Sequence, residues 1–154
     1  MSEHRATTDW RRETPDFDYP TYNRGHRLRF GAGIELPAAA AAASIPATAV
    51  GAAGVDPEQA LVASISSCHM LWFLHLACQS GFVVDRYVDE AVGLLEKNAE
   101  GRGAVTRVTL RPRVAFSGTP PTEAEHASLH HRAHERCFIA NSVKSEVVIE
   151  PGIA

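Results

Sequence analysis

The stretch DPEQALVASISSCHMLWFLHLACQSG, residues 56–81, decides the reading of the whole chain. Its opening carries helix-start signals: Asp56 can cap an orphan backbone N–H, Pro57 suits the first helical position, and Glu58 falls in the first turn. Gly81 supplies the stop. Between them Leu61, Val62, Ile65, Met70, Leu71, Trp72, Phe73, Leu74 and Leu76 occupy nearly every face, and a helix apolar all round is expected to be buried at the centre of a core. Ser66, Ser67 and His69 make a polar break in that run beside Cys68. A thiol therefore lies mid-helix in unusual company, while Cys78, near the far end, reads as plain packing.

Downstream the period changes from helix to strand. FVVDRYVDEAVGLLEKN (82–98) and AVTRVTLRPRVAFSG (104–118) are runs with period-two alternation in parts, and AEGRG (99–103) between them has the composition of a hairpin turn. PTEAEHASLHHRAHER (121–136) carries a capping box, Thr122 with Glu125, and predicts a polar-faced helix. Cys137 follows at that helix's end, and residues 143–149 predict a closing strand. Upstream, YNRGHRLRFGAGIEL (22–36) predicts short strands joined at Gly25 and at residues 31–33. Residues 37–55, rich in Ala, Pro and Gly, predict a flexible connection, and residues 1–20 a polar segment. Strands, buried helix, hairpin, helix and strand make an α+β order, in a chain whose 154 residues suit one domain.

Composition excludes some functions. A net charge of −3 and a pI near 6.2 leave no basic excess for nucleic acid. The most apolar run, around residues 71–77, stops short of a bilayer span. Three cysteines are too few and too odd for a disulfide scaffold. With a polar N-terminal stretch that has no apolar signal region, the expectation is a soluble protein of the reducing cytoplasm, without nucleic-acid or membrane partners. In that compartment a cysteine pair is more often catalytic, redox-active or metal-binding than structural.

DPEQALVASISSC with Glu58 ten residues before Cys68, a second cysteine at Cys137 after a helix, and the early NRG containing Arg24 together resemble the OsmC/Ohr family of organic hydroperoxide reductases. The resemblance covers residues 20–150. It departs from the family in Phe138, where many members have proline after the second cysteine, and in His69 after the first. It implies curved antiparallel sheets wrapped around central helices in an intertwined homodimer, with active sites at the subunit interface and no cofactor. It also implies that Cys68 reduces an organic hydroperoxide, that Cys137 resolves the resulting sulfenic acid as a disulfide, and that a dithiol of lipoyl type reduces that disulfide.

The chemistry sets its own demands. A peroxidatic sulfur reacts as the thiolate, whereas burial in an apolar helix raises a thiol's pKa above its ordinary value near ~8.5. A cation must offset this, which gives Arg24, or Arg27 or Arg29 close by, a physical task, and Glu58 could hold the guanidinium bidentately. Ten residues of helix amount to about 15 Å of rise, so Glu58 reaches its own Cys68 only if the helix breaks, and otherwise it serves the partner subunit. Met70, Leu71, Trp72, Phe73 and Phe138 could line an apolar pocket favouring organic peroxides. Two other readings stay open: a thiol stress or ligand-binding protein without peroxidase turnover, and a metal-binding module using His126, His130 or His134, whose four-residue spacing places neighbouring pairs on one helix face.

Overall fold

Helix α1 runs unbroken over Pro57–Gln79. Its start is built as the residues dictate: the Asp56 carboxylate accepts the Gln59 N–H at 2.7 Å and the Gln59 side chain accepts the Asp56 N–H at 3.2 Å. Its end is a Schellman turn. Phe82 N–H bonds back to the Ala77 carbonyl and Gly81 N–H to that of Cys78, with Gly81 at φ +81°, a left-handed conformation open to glycine at no steric cost.

The computed structural model describes residues 1–46, 48–49 and 53–153. They divide into two compact units, Met1–Ala60 and Leu61–Ala154. In the first, strands β1 (Thr7–Asp9), β2 (His26–Arg29) and β3 (Glu35–Ala38) form an antiparallel meander in that order. The β2–β3 connection at residues 31–33 is the expected one, whereas β1 lies inside the segment read only as polar. Arg29 stands opposite Thr7 on one side and Glu35 on the other, and its guanidinium pairs with Asp9 at 2.7 Å and Glu35 at 3.0 Å. Part of the connection 37–55 lies outside the described residues; of the rest, Pro37 and Ala38 complete β3 and Ala42–Ser44 form a 3-10 turn.

In the second unit the two long runs each split into two strands: β4 (Val83–Asp89) and β5 (Val92–Lys97), then β6 (Gly103–Leu110) and β7 (Pro112–Ser117). The split falls where Asp89 accepts the Arg111 N–H at 2.6 Å, tying the two bends together. β5 and β6 close the expected hairpin, but β4 pairs with β7. The late strands β8 (Glu146–Ile149) and β9 (Gly152–Ile153) then add in parallel to β6 and β7. The two sheets of this unit, β5-β6-β8 and β4-β7-β9, each join an antiparallel pair to one parallel strand, within the α+β fold expected. Helix α2 (Glu123–Arg136) carries the Thr122–Glu125 capping box in both directions.

The core has two centres: Phe73, Leu76, Ala77, Val114, Leu129 and Ala133 in one, and Ile65, Val108 and Leu110 in the other. A Cβ on Gly93 would come within 2.5 Å of Val62, so only glycine lets β5 approach α1 there. The expectation that α1 is buried all round is corrected. Its buried residues are Ile65, His69, Phe73, Leu76 and Ala77, a single stripe, while Leu71 on the opposite side is 60% exposed. With 23 residues and a mean hydropathy of 1.5 over an 18-residue window, α1 is also long and apolar enough by composition to cross a membrane, contrary to the reading from residues 71–77. A stripe of it packs against α2 and both sheets of this unit.

Candidate active site

Cys68 shares one face of α1 with Ser64, Leu71, Trp72 and His75, the neighbours that helical spacing dictates. With Ser67, Phe138 and Ile139 they line a predominantly apolar cavity of about 570 Å³. Trp72 organises its wall: the Phe138 ring meets it edge-on at 5.6 Å, His75 does the same at 5.6 Å, and the Arg136 guanidinium sits 5.6 Å from its centroid. Cys68 is half-buried in this wall, whereas Cys137, at the C-cap of α2, has no exposure.

The Cys137 sulfur accepts the Ala140 N–H at 3.4 Å, and its S–H points to the Ile65 carbonyl at 3.9 Å. Burial pushes its pKa up to about 11, with the adjoining Cys68 thiol adding to the rise against the N–H groups of Ala140 and Ile139. Both cysteines are free. The site thus presents one thiol to a cavity and keeps a second, protonated thiol beside it. That pairing suits two-cysteine chemistry, in which the accessible sulfur is oxidised and the sheltered one closes on it.

Of the pocket residues expected from sequence, Leu71, Trp72 and Phe138 line the cavity. Met70 and Phe73 do not. Met70 is about 200° around the helix from Cys68, and Phe73 belongs to the core stripe, stacked on His130 at 4.3 Å. The lining residues Ser64, Ser67, His75 and Ile139 were missed, although i±4 and i+7 spacing from Cys68 marks two of them.

Arg24 and Glu58 belong to the first unit. The guanidinium of Arg24, 8% exposed, lies 3.8 Å over the Tyr22 ring and donates to the carbonyls of Tyr22 and Tyr19 at 2.8 and 2.6 Å. Among the described residues neither Arg24 nor Glu58 forms an ion pair, so the expected bidentate contact is absent. Arg27 and Arg29 are instead engaged with Glu35 and Asp9.

Helix α2 has the polar face that the sequence predicts, but two of its histidines lie off it. His126 and His130 are buried, and His130 hydrogen-bonds to His69 of α1 at 3.0 Å. Burial draws His69 down to about 4 and His130 to about 3. Among the described residues no three His, Cys, Asp or Glu side chains converge as a metal site requires.

The model of the OsmC-like protein family matches residues 50–151, and the chain belongs to that family. An OsmC-like protein of unknown function from Vibrio cholerae O1 biovar eltor is 47% identical, with 99% of this chain and 100% of that one covered and a TM-score of 0.93. The fold is shared with the organic hydroperoxide resistance protein OhrB of Bacillus subtilis (16% identical, 99% and 98% covered, TM-score 0.65). It is shared too with an organic hydroperoxide resistance protein, OsmC, of Legionella pneumophila (15% identical, 100% and 98% covered, TM-score 0.64). No curated protein matches.

Proposed function

We propose that the chain is a thiol peroxidase for organic hydroperoxides. The observation that carries this reading is Cys68 in the wall of an apolar cavity with the buried thiol of Cys137 against it. The Cys68 thiolate attacks the peroxide's distal oxygen, releasing an alcohol and leaving a sulfenic acid. Cys137 then displaces water to form the Cys68–Cys137 disulfide, and a dithiol of lipoyl type in the cytoplasm reduces it. An apolar wall built on Leu71, Trp72 and Phe138 rewards substrates with hydrocarbon to bury, at about 25 cal/mol per Å². Hydrogen peroxide gains nothing from it.

Arg24 remains the proposed cation for the thiolate on the resemblance alone; two carbonyls and two tyrosine rings orient it, and among the described residues it pairs with no carboxylate. Glu58 is proposed to act across a homodimer. Stopped-flow oxidation with cumene hydroperoxide should be faster than with hydrogen peroxide by at least about tenfold, and peptide mapping should find Cys68 joined to Cys137. Cys68→Ser should abolish consumption, because a hydroxyl of similar size supplies no thiolate. Equal rates with the two peroxides, or activity retained in that variant, would sink the reading.

A further inference from the structure

Two sulfurs converge at one turn of α1. The Cys137 sulfur lies 3.9 Å from the Ile65 carbonyl, and a helical side chain leans over the turn N-terminal to its own Cα, which for Cys68 is the turn of residues 64 and 65. The two thiols are neighbours: Cys68 acts on Cys137 both as a hydrogen-bond partner and as a charge. One of them faces the cavity of about 570 Å³ and the other is fully buried. The third cysteine is out of reach. Cys78 lies ten residues further along the unbroken helix, about 15 Å of rise, and is exposed.

What a pair of thiols can hold depends on what else surrounds it. Burial pushes the Cys137 pKa up to about 11, so thiolate charge is disfavoured there. Among the described residues no carboxylate, lysine or arginine lines the cavity. Zn²⁺ asks for four donors, and among the described residues no group of three His, Cys, Asp or Glu side chains converges. A monovalent soft ion between two thiolates would leave a net negative charge against an apolar wall, which is costly when nothing pairs with it. A trivalent arsenical with one organic substituent escapes both demands. It takes two sulfurs, its own carbon fills the third position, and the product is neutral.

We propose that Cys68 and Cys137 form a dithiol site for monosubstituted trivalent arsenicals, in which arsenic bridges the two sulfurs and an aryl or alkyl group lies in the cavity against Trp72 and Phe138. The ligand carries its organic group and two hydroxyls on arsenic. Two As–O bonds and two S–H bonds break, two As–S bonds form, and two waters leave. No electron is transferred and arsenic stays trivalent. Cys68, open to the cavity, reacts first, and Cys137 closes the chelate, its proton leaving with the displaced hydroxide as water. The high pKa of Cys137 is therefore no obstacle, since no free thiolate is required. The second bond is intramolecular, and the effective concentration of the neighbouring sulfur strengthens binding by about a hundredfold or more over a single thiol. The Trp72 and Phe138 rings, edge-on at 5.6 Å, favour an aryl substituent over a methyl one by the apolar surface it buries.

The site needs only two reduced thiols and does not rest on the peroxidase reading. It uses the same two sulfurs, so a bound arsenical should abolish hydroperoxide consumption in proportion to its occupancy.

The probe is phenylarsine oxide, added in equimolar amount to the reduced full chain. Native intact-mass spectra should show one arsenical per chain, retained against excess glutathione, a monothiol, and removed by dithiothreitol, a dithiol. X-ray absorption at the arsenic edge of the wild-type adduct should find two sulfurs and one carbon around arsenic, a measurement that requires no variant to fold. Cys68→Ser and Cys137→Ser should each bind at least about a hundredfold more weakly, and Cys78→Ser as tightly as wild type. Trp72→Ala should weaken the phenyl compound about tenfold and its methyl analogue by less than about twofold. Arsenic bound through one sulfur, or an adduct that glutathione strips from wild type as readily as from Cys137→Ser, overturns the dithiol site, while the peroxidase reading is decided separately by the disulfide map. A chain that chelates the arsenical but consumes no hydroperoxide keeps the site and loses the peroxidase.

Discussion

At the scale of single residues, the division of labour proposed for the two thiols rests on where each sits. Cys68 lines the cavity and Cys137 is buried at the α2 C-cap, so under the proposed peroxidase reading a hydroperoxide meets the first while the second, its pKa raised by burial to about 11, waits as a protonated thiol. Cys137→Ser should therefore still consume one equivalent of cumene hydroperoxide per subunit and then stop, because the attacking sulfur is untouched. Excess peroxide should carry its Cys68 to sulfinic acid, visible as a mass gain of two oxygens in intact-protein spectra. Cys78→Ser, an exposed position, should cycle normally. Continued turnover in Cys137→Ser would assign resolution to another residue. The pair Cys68 and Cys137 was legible in sequence through the polar break and the helix-end position. The lining was half legible, because spacing from Cys68 selects Leu71 and Trp72 and rejects Met70 and Phe73, yet only the tertiary fold brings Phe138 and Ile139 across from beyond α2.

Between elements, the seam of α1 and α2 depends on a contact no pattern could announce. The four-residue spacing of His126 and His130 gave one helix face, but whether that face meets water or core depends on His69, 61 residues away from His130. Caps, the Gly81 stop and the 99–103 hairpin were readable because they are local. The β4–β7 pairing and the parallel β8 and β9 were not, since they join segments far apart in sequence. The seam has a measurable consequence. Unfolded imidazoles take up protons near pH 6.5, whereas burial delays His69 to about 4 and His130 to about 3. Between those limits the unfolded chain binds more protons, so stability is complete above pH 6.5 and is lost progressively as pH falls toward 4 and 3. The urea midpoint should drop between pH 7 and pH 5, and His130→Phe should flatten that drop by removing one titrating group. An unchanged slope in the variant would show that the seam does not govern acid stability.

For the molecule as a whole, the unanswered demand is the outer face of α1. A helix apolar on nearly every side was expected to be buried on nearly every side, and one chain buries a single stripe of it. Leu71 stays 60% exposed and Phe138, which lines the same cavity, 69% exposed. A small monomer rarely leaves large apolar side chains clustered in this way, and the commonest way to cover such a face is a second copy related by a two-fold axis. The proposed homodimer would also complete the cavity, whose mouth Leu71 and Phe138 share, and would shut water away from the Cys68 sulfur. Light scattering at micromolar concentration should give twice the chain mass of 16.6 kDa. Leu71→Glu combined with Phe138→Glu would place two carboxylates in that interface, each costing several kcal/mol if left unpaired there, and should yield a monomer with its fold intact by circular dichroism. Its preference for cumene hydroperoxide over hydrogen peroxide should shrink in the same preparation, because the wall that buries the organic group is gone. A wild-type protein that scatters as a monomer would remove the dimer, and a double variant that stays dimeric would move the interface to another face.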